Sequence, residues 1–115
     1  MPTAGKLLDR IEVRGAVMDI ESMFSAARHV AIGRSTQASI DIDPSAGSIS
    51  LSVGSDTLRR RDVRTEHGVQ LSATRVHMSY SATGIGYGAA NLSVVVRRNA
   101  AFDTVVVSRL GRVRH

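Results

Sequence analysis

The sequence contains no cysteine and no tryptophan, two prolines, and only four phenylalanine or tyrosine residues: Phe24, Tyr80, Tyr87 and Phe102. Without cysteine there is no disulfide framework and no thiolate zinc site. So few aromatics weigh against proteins that hold single-stranded nucleic acid by stacking its bases. No apolar run approaches the roughly 18 residues that span a bilayer, and no secretory signal pattern is visible. Internal repeats, linkers and low-complexity tracts are also missing, so residues 1–115 read as one domain.

What is present is enough for one core. Hydrophobic residues make up 43% of the chain and charged ones 22%, with a mean hydropathy of −0.01, a globular balance rather than a disordered one. The formal charge is +5 and the pI about 11.0. The excess is uneven: from Leu58 onward ten arginines face Asp62, Glu66 and Asp103, a local +7, while the first 57 residues carry −2. The C-terminal half is therefore the half suited to an anion such as nucleic acid.

Residues 3–32 predict one helix. Val13, Val17, Ile20, Phe24, Ala27 and Ala31 recur at steps of three and four and line one face, with Thr3 as N-cap and Gly33 as the residue that ends it. At 1.5 Å per residue such a rod is roughly 45 Å long, more than a domain of this size can cover, and the stretch before Arg14 is the part expected to project. After Arg34 the period changes to two. Ala38, Ile40 and Ile42, then Ile49, Leu51 and Val53, predict a hairpin around Asp43-Pro44-Ser45-Ala46-Gly47. Val69, Leu71 and Ala73 alternate again, followed by Val76, Met78 and Tyr80. Leu92–Arg97 and Phe102–Leu110 form a second hairpin. The expected fold is α+β, a long N-terminal helix packed on an antiparallel β-sheet made from about residues 36–114.

Chemical motifs are sparse. Gly84-Ile85-Gly86-Tyr87-Gly88 lacks the following helix that a phosphate cradle requires, so it reads as a connection between strands. His29, His67, His77 and His115 include no close pair of the kind that binds metal, and no nucleophile elbow or paired-carboxylate spacing occurs. These patterns predict no catalytic residue, no metal site and no cofactor. Arg59-Arg60-Arg61-Asp62-Val63-Arg64 reads as a solvated loop or edge strand, where charge discourages pairing. In the tail, an extended Arg112-Val113-Arg114 sets two guanidiniums about 7 Å apart, close to the spacing of successive phosphates. Register extended from the second hairpin puts Arg112 beside Tyr87 or Gly88 and Arg114 beside Ile85 or Gly86.

The N-terminal Met1-Pro2, Leu7-Leu8-Asp9-Arg10 and Ser25-Ala26-Ala27-Arg28-His29-Val30-Ala31-Ile32, with Arg34, resemble the helix of type IV pilin-like proteins, specifically the GspH/FimT pseudopilin family. The ending Val105-Val106-Val107-Ser108-Arg109-Leu110-Gly111-Arg112-Val113-Arg114 is similar to that family's closing strand and Gly-Arg-x-Arg motif, and Gly84 to its glycine-containing loop. Two departures stand out. The prepilin leader and apolar half-helix are missing, so Met1-Pro2 is expected at or near the end of a membrane segment. The cysteines that many relatives carry near the C-terminus are missing too.

The resemblance implies a minor pilin or pseudopilin of a type IV pilus or type II secretion system. Its partners would be other pilins in a filament, its anchor the bacterial inner membrane through the missing helix, and its head would lie in the periplasm. It also implies a second version, a FimT-like subunit that binds double-stranded DNA during natural transformation. Arg112 and Arg114 match the motif positions, Arg109 stands nearby, and Arg97 and Arg98 are further candidates for phosphate contact. The alternatives are a purely structural secretion pseudopilin and, remotely, a small periplasmic enzyme.

Overall fold

The structure, a computed structural model, describes residues 4–87 and 92–108 and the backbone of 113–114. Thr3, Gly88, Arg109, Arg112 and His115 lie outside the described residues. Helix α1 spans Ala4–Gly33, and all six apolar positions picked out by the helical period are buried, joined by Ala16 and Met23. Its first buried residue is Val13. Leu7, Leu8 and Ile11 are about half exposed, and the molecule measures 51 × 24 × 21 Å. The N-terminal turns of the helix are therefore only partly covered, and the expected projection before Arg14 is limited because the β7–β8 turn reaches back to Asp9.

The helix ends in a way the sequence did not signal. Gly33 is still helical, and the left-handed residue is Ser35 at φ 51°. Thr36 N–H donates to Ala31 O and Ser35 N–H to Ile32 O, the two bonds of a Schellman cap.

Two sheets pack on α1 rather than one. The first contains β1 (Ala38–Asp43), β2 (Ser48–Val53), β3 (Asp56–Asp62), β5 (His77–Tyr80) and β6 (Gly86–Tyr87), in the order β3-β2-β1-β5-β6. The second contains β4 (Gln70–Ala73), β7 (Leu92–Arg98), β8 (Ala101–Val107) and β9 (Val113–Arg114), in the order β4-β7-β8-β9. Among the described residues the strand pairings are all antiparallel. The β1–β2 hairpin closes where expected: Asp43 Oδ1 accepts from Ser45 N–H, Ser45 Oγ and Ala46 N–H, and Gly47 takes φ +68°. The segments around Leu71 and Met78, adjacent in sequence, enter different sheets, and Val76 in the crossing between them is half exposed rather than core.

The β7–β8 hairpin forms with Asn99 at φ 54° in its turn. Beyond it the expected register does not hold. Val113 and Arg114 return antiparallel to Val107 and Val106, so Arg114 pairs with Val106 instead of lying beside Ile85 or Gly86. Gly86 and Tyr87 already pair with Tyr80 and Ser79 in the other sheet, and a strand folding back on β8 covers part of the edge that the hairpin leaves open. Between β3 and β4 lies a helix that no periodicity announced, α2 (Val63–His67), closed by Gly68 in the left-handed conformation.

Candidate interaction surface

Three clusters of charged side chains stand where elements meet. The first joins α2 and β3 to α1. His67 offers one ring nitrogen to Asp19 Oδ2 at 2.7 Å and the other to Glu12 Oε1 at 3.4 Å. Burial pulls its pKa down, but the hydrogen bonds and charges of Asp19 and Glu12 outweigh it, and the net shift is upward. Arg61 NH2 bridges the same Asp19 oxygen at 2.9 Å and Glu66 Oε2 at 2.8 Å. Asp19, Glu66 and His67 bring three potential ligand atoms within 4.8 Å of one another. The guanidinium already supplies the positive charge between the two carboxylates, so the cluster is a salt-bridge network.

The second cluster is built on Arg98. Its Nε donates to Asp9 Oδ1 at 2.9 Å and its NH1 to His67 O at 2.6 Å, while Asn99 Nδ2 reaches both Asp9 oxygens. These hydrogen bonds, with the Arg98 charge, hold Asp9 below the usual carboxylate range. Of the arginines considered for phosphate contact, Arg98 is thus turned inward to tie the β7–β8 turn to α1 and α2. Arg97 is exposed, and its guanidinium carbon lies 5.4 Å from the centroid of the Phe102 ring. Arg114 is placed on β9 by its backbone, and Arg109 and Arg112 lie outside the described residues. The Arg59–Arg61 run forms edge strand β3, where Arg61 is structural and Arg60 pairs with Asp62.

The third is a groove of about 520 Å³ between the N-terminal part of α1 and the start of β8, lined by Arg10, Val13, Arg14, Ala101, Phe102 and Asp103. Val13, Ala100 and Ala101 are its small apolar residues. Arg10 and Arg14, one helical turn apart, form one wall, both exposed and without an acidic partner within 4 Å among the described residues. Phe102, 62% exposed, stands on the strand side. Sequence reasoning missed this groove, because Phe102 reads only as the start of a hairpin strand; the one available signal was the i, i+4 pair of arginines.

Compared with solved structures, the molecule matches the type IV minor pilin FimU of Pseudomonas aeruginosa with a TM-score of 0.78 at 18% identity, over 94% of this chain and 90% of that one. It matches the minor pseudopilin EpsH from the type 2 secretion system of Vibrio cholerae with a TM-score of 0.69 at 10% identity, over 90% and 94% of the two chains. The fold is that of a GspH/FimT-like pilin. No protein-family model and no curated protein sequence matches the chain. In this pilin-like fold the groove and the two salt-bridge clusters lie along the boundary between helix and head. The arginine-rich edge strand β3 lies at one border of the first sheet.

Proposed function

We propose that this chain is the head of a minor pilin or pseudopilin, a subunit of a type IV pilus or a type II secretion pseudopilus. One observation carries the reading beyond fold likeness. The first turns of α1 hold Leu7, Leu8 and Ile11 about half exposed, at the end of the helix from which an apolar continuation would run into a membrane or a filament core. Among the described residues no helix is long and apolar enough to cross a membrane. The proposal includes an inner-membrane anchor for the native product, as an apolar continuation of α1. Fractionation of cells expressing that product tests this, with photo-crosslinking from position 7 or 11. The expected result is recovery with the inner membrane and crosslinks to other pilin-like subunits; recovery free in the periplasm without crosslinks overturns it.

A second reading adds DNA. Its support is the +7 of the C-terminal half and the match of Arg112 and Arg114 to the Gly-Arg-x-Arg motif, with Arg109 and the exposed Arg97 close in sequence or charge. With few aromatics and no recognition helix suggested by the sequence, the mode is contact to phosphates of double-stranded DNA, typically about 10⁻⁴ to 10⁻⁶ M at physiological salt. In a gel-shift titration, changing Arg112 and Arg114 to Gln should weaken binding and flatten the log–log salt dependence by up to about 2 units. Unchanged affinity in that variant, or no shift with the parent, returns the protein to a purely structural subunit.

A further inference from the structure

Cations and exposed apolar side chains meet at one end of the molecule. Lys6, Arg10 and Arg14 follow one another along α1 at steps of four, about 6 Å each, and make a stripe about 12 Å long on one side of the helix. Arg10 and Arg14 are exposed and have no acidic partner within 4 Å among the described residues. On one flank of the stripe the β7–β8 turn supplies Ala100 and Ala101, which line grooves shared with Arg10. Phe102 follows them, 62% exposed, with the Arg97 guanidinium over its ring. On the other flank, past Arg14 around the helix, come Leu7 and Ile11, both about half exposed. The acids of this end are already engaged. Asp9 takes Arg98 and Asn99, Glu12 faces His67, and the Asp103 carboxylate accepts the Thr104 amide.

We propose that this end is a docking surface for anionic phospholipid. Arg10 and Arg14 meet the headgroup phosphates, with Lys6 and Arg97 beside them, and Phe102, Leu7 and Ile11 enter the boundary between headgroups and acyl chains. The inference rests on the inner-membrane reading of the subunit and names the lipid class that its head would contact. Charge complementarity selects an anionic partner, and the apolar flanks select among anions. A lipid surface offers phosphate and hydrocarbon within one side chain's reach, so both parts of the stripe are used. A DNA duplex offers phosphates to the arginines and nothing to Phe102, Leu7 or Ile11. Each cation at an anionic surface is worth roughly fivefold in partitioning, which makes the contact reversible. A head held in this way would lie beside its anchor until assembly, when Leu7 and Ile11 exchange lipid for protein neighbours.

The chain has no tryptophan, so Phe102→Trp places a single fluorophore at the proposed surface. Leu58→Trp, on the distant edge strand β3 and 39% exposed, is the control site. Both 115-residue chains are titrated with vesicles of phosphatidylcholine, with and without phosphatidylglycerol, and co-sedimentation is followed in parallel. The Phe102→Trp chain should show blue-shifted emission and quenching by brominated acyl chains, only with phosphatidylglycerol and reversed by high salt; the Leu58→Trp chain should show neither. Changing Arg10 and Arg14 together to Gln should lower partitioning at least about tenfold, with an unchanged thermal melt. Lysine at both positions should restore it, because a headgroup layer requires charge rather than a guanidinium fork. Arg112→Gln with Arg114→Gln should cost less than the helix pair. Equal partitioning onto neutral vesicles, a larger loss from the tail pair, or sedimentation without burial of the Phe102→Trp indole would each overturn the proposal. If duplex DNA without lipid produces the same blue shift, the surface is a nucleic-acid site instead. Vesicle binding needs neither anchor nor filament, so its absence leaves the fractionation and crosslinking results standing. Recovery of the native product free in the periplasm, with vesicle binding intact, removes the subunit reading and not the lipid surface.

Discussion

Ser35 shows how one residue outside the hydrophobic pattern governs where the helix stops. A non-glycine side chain in the left-handed region costs about 1 kcal/mol, and the Schellman bonds to Ala31 and Ile32 hold it there. Ser35→Gly should therefore stabilise the domain by about 0.5 to 1 kcal/mol, read as a rise of a few degrees in a thermal melt. A fall in stability would mean that the Ser35 side chain matters more than its backbone strain. Gly15 is the opposite case, a helical glycine held by a neighbour. A Cβ at this position would stand 2.9 Å from His67 Cε1 and 3.2 Å from its Nδ1, because the imidazole lies against the helix between Glu12 and Asp19. Alanine in place of a helix-interior glycine is ordinarily worth about 1 kcal/mol of stability. Gly15→Ala should lose that gain in the parent and recover it in a His67→Ala background, a coupling that a double-mutant cycle in urea measures directly.

The elements β3 and α2 were the hardest to foresee, β3 because neither of its faces is buried and α2 because its contacts are distant in sequence. Helix α1 is legible because six buried residues keep a helical period from Val13 to Ala31, and β1, β2 and β7 because each buries alternate residues. Asp56–Asp62 buries neither face; it is a strand because β2 offers it hydrogen bonds, and its charge reads equally well as a loop. The five residues of α2 are held by Gly68 at one end and by His67 and Arg61 reaching Glu12 and Asp19, partners 42 to 55 positions away. No local pattern encodes those meetings. Of the candidate arginines, Arg112 and Arg114 rest on the motif alone, and the capture of Arg98 by Asp9, 89 residues earlier, was not legible in the sequence. The α2 clamp also carries a pH dependence. The His67 pKa is raised in the folded state, so the clamp's contribution is fully present below the ordinary imidazole value near 6.5 and is lost as pH rises through the folded pKa. Unfolding in urea at a series of pH values from 5.5 upward should show the parent losing stability as that folded pKa is passed. A His67→Gln variant, which cannot carry the charge facing Glu12, Asp19, Glu66 and Arg61, should show a flatter profile over the same window.

At the scale of the whole molecule, the head and the start of the helix can be separated experimentally. The body takes its stability from α1 after Val13, where Val17, Ile20, Met23 and Phe24 are essentially solvent-free between the two sheets, each such side chain worth about 1.5–3 kcal/mol of transfer free energy. Leu7 and Ile11 are 56% and 55% exposed and belong to no part of that core. Serine at both positions should therefore change the unfolding free energy of the 115-residue chain by no more than about 0.5 kcal/mol, the range of ordinary surface substitutions. A filament imposes a different requirement. There these side chains would face neighbouring helices, and replacing two large apolar groups by hydroxyls would remove burial at each repeat of the contact. In the native product the same pair of changes should leave the head folded and in place while lowering its recovery with sheared filaments severalfold, scored by immunoblot against total cell protein. If stability falls by several kcal/mol, the helix start belongs to the body after all. Unchanged recovery in filaments, with stability also unchanged, would show that the exposed leucine and isoleucine are incidental and that assembly runs through the head alone.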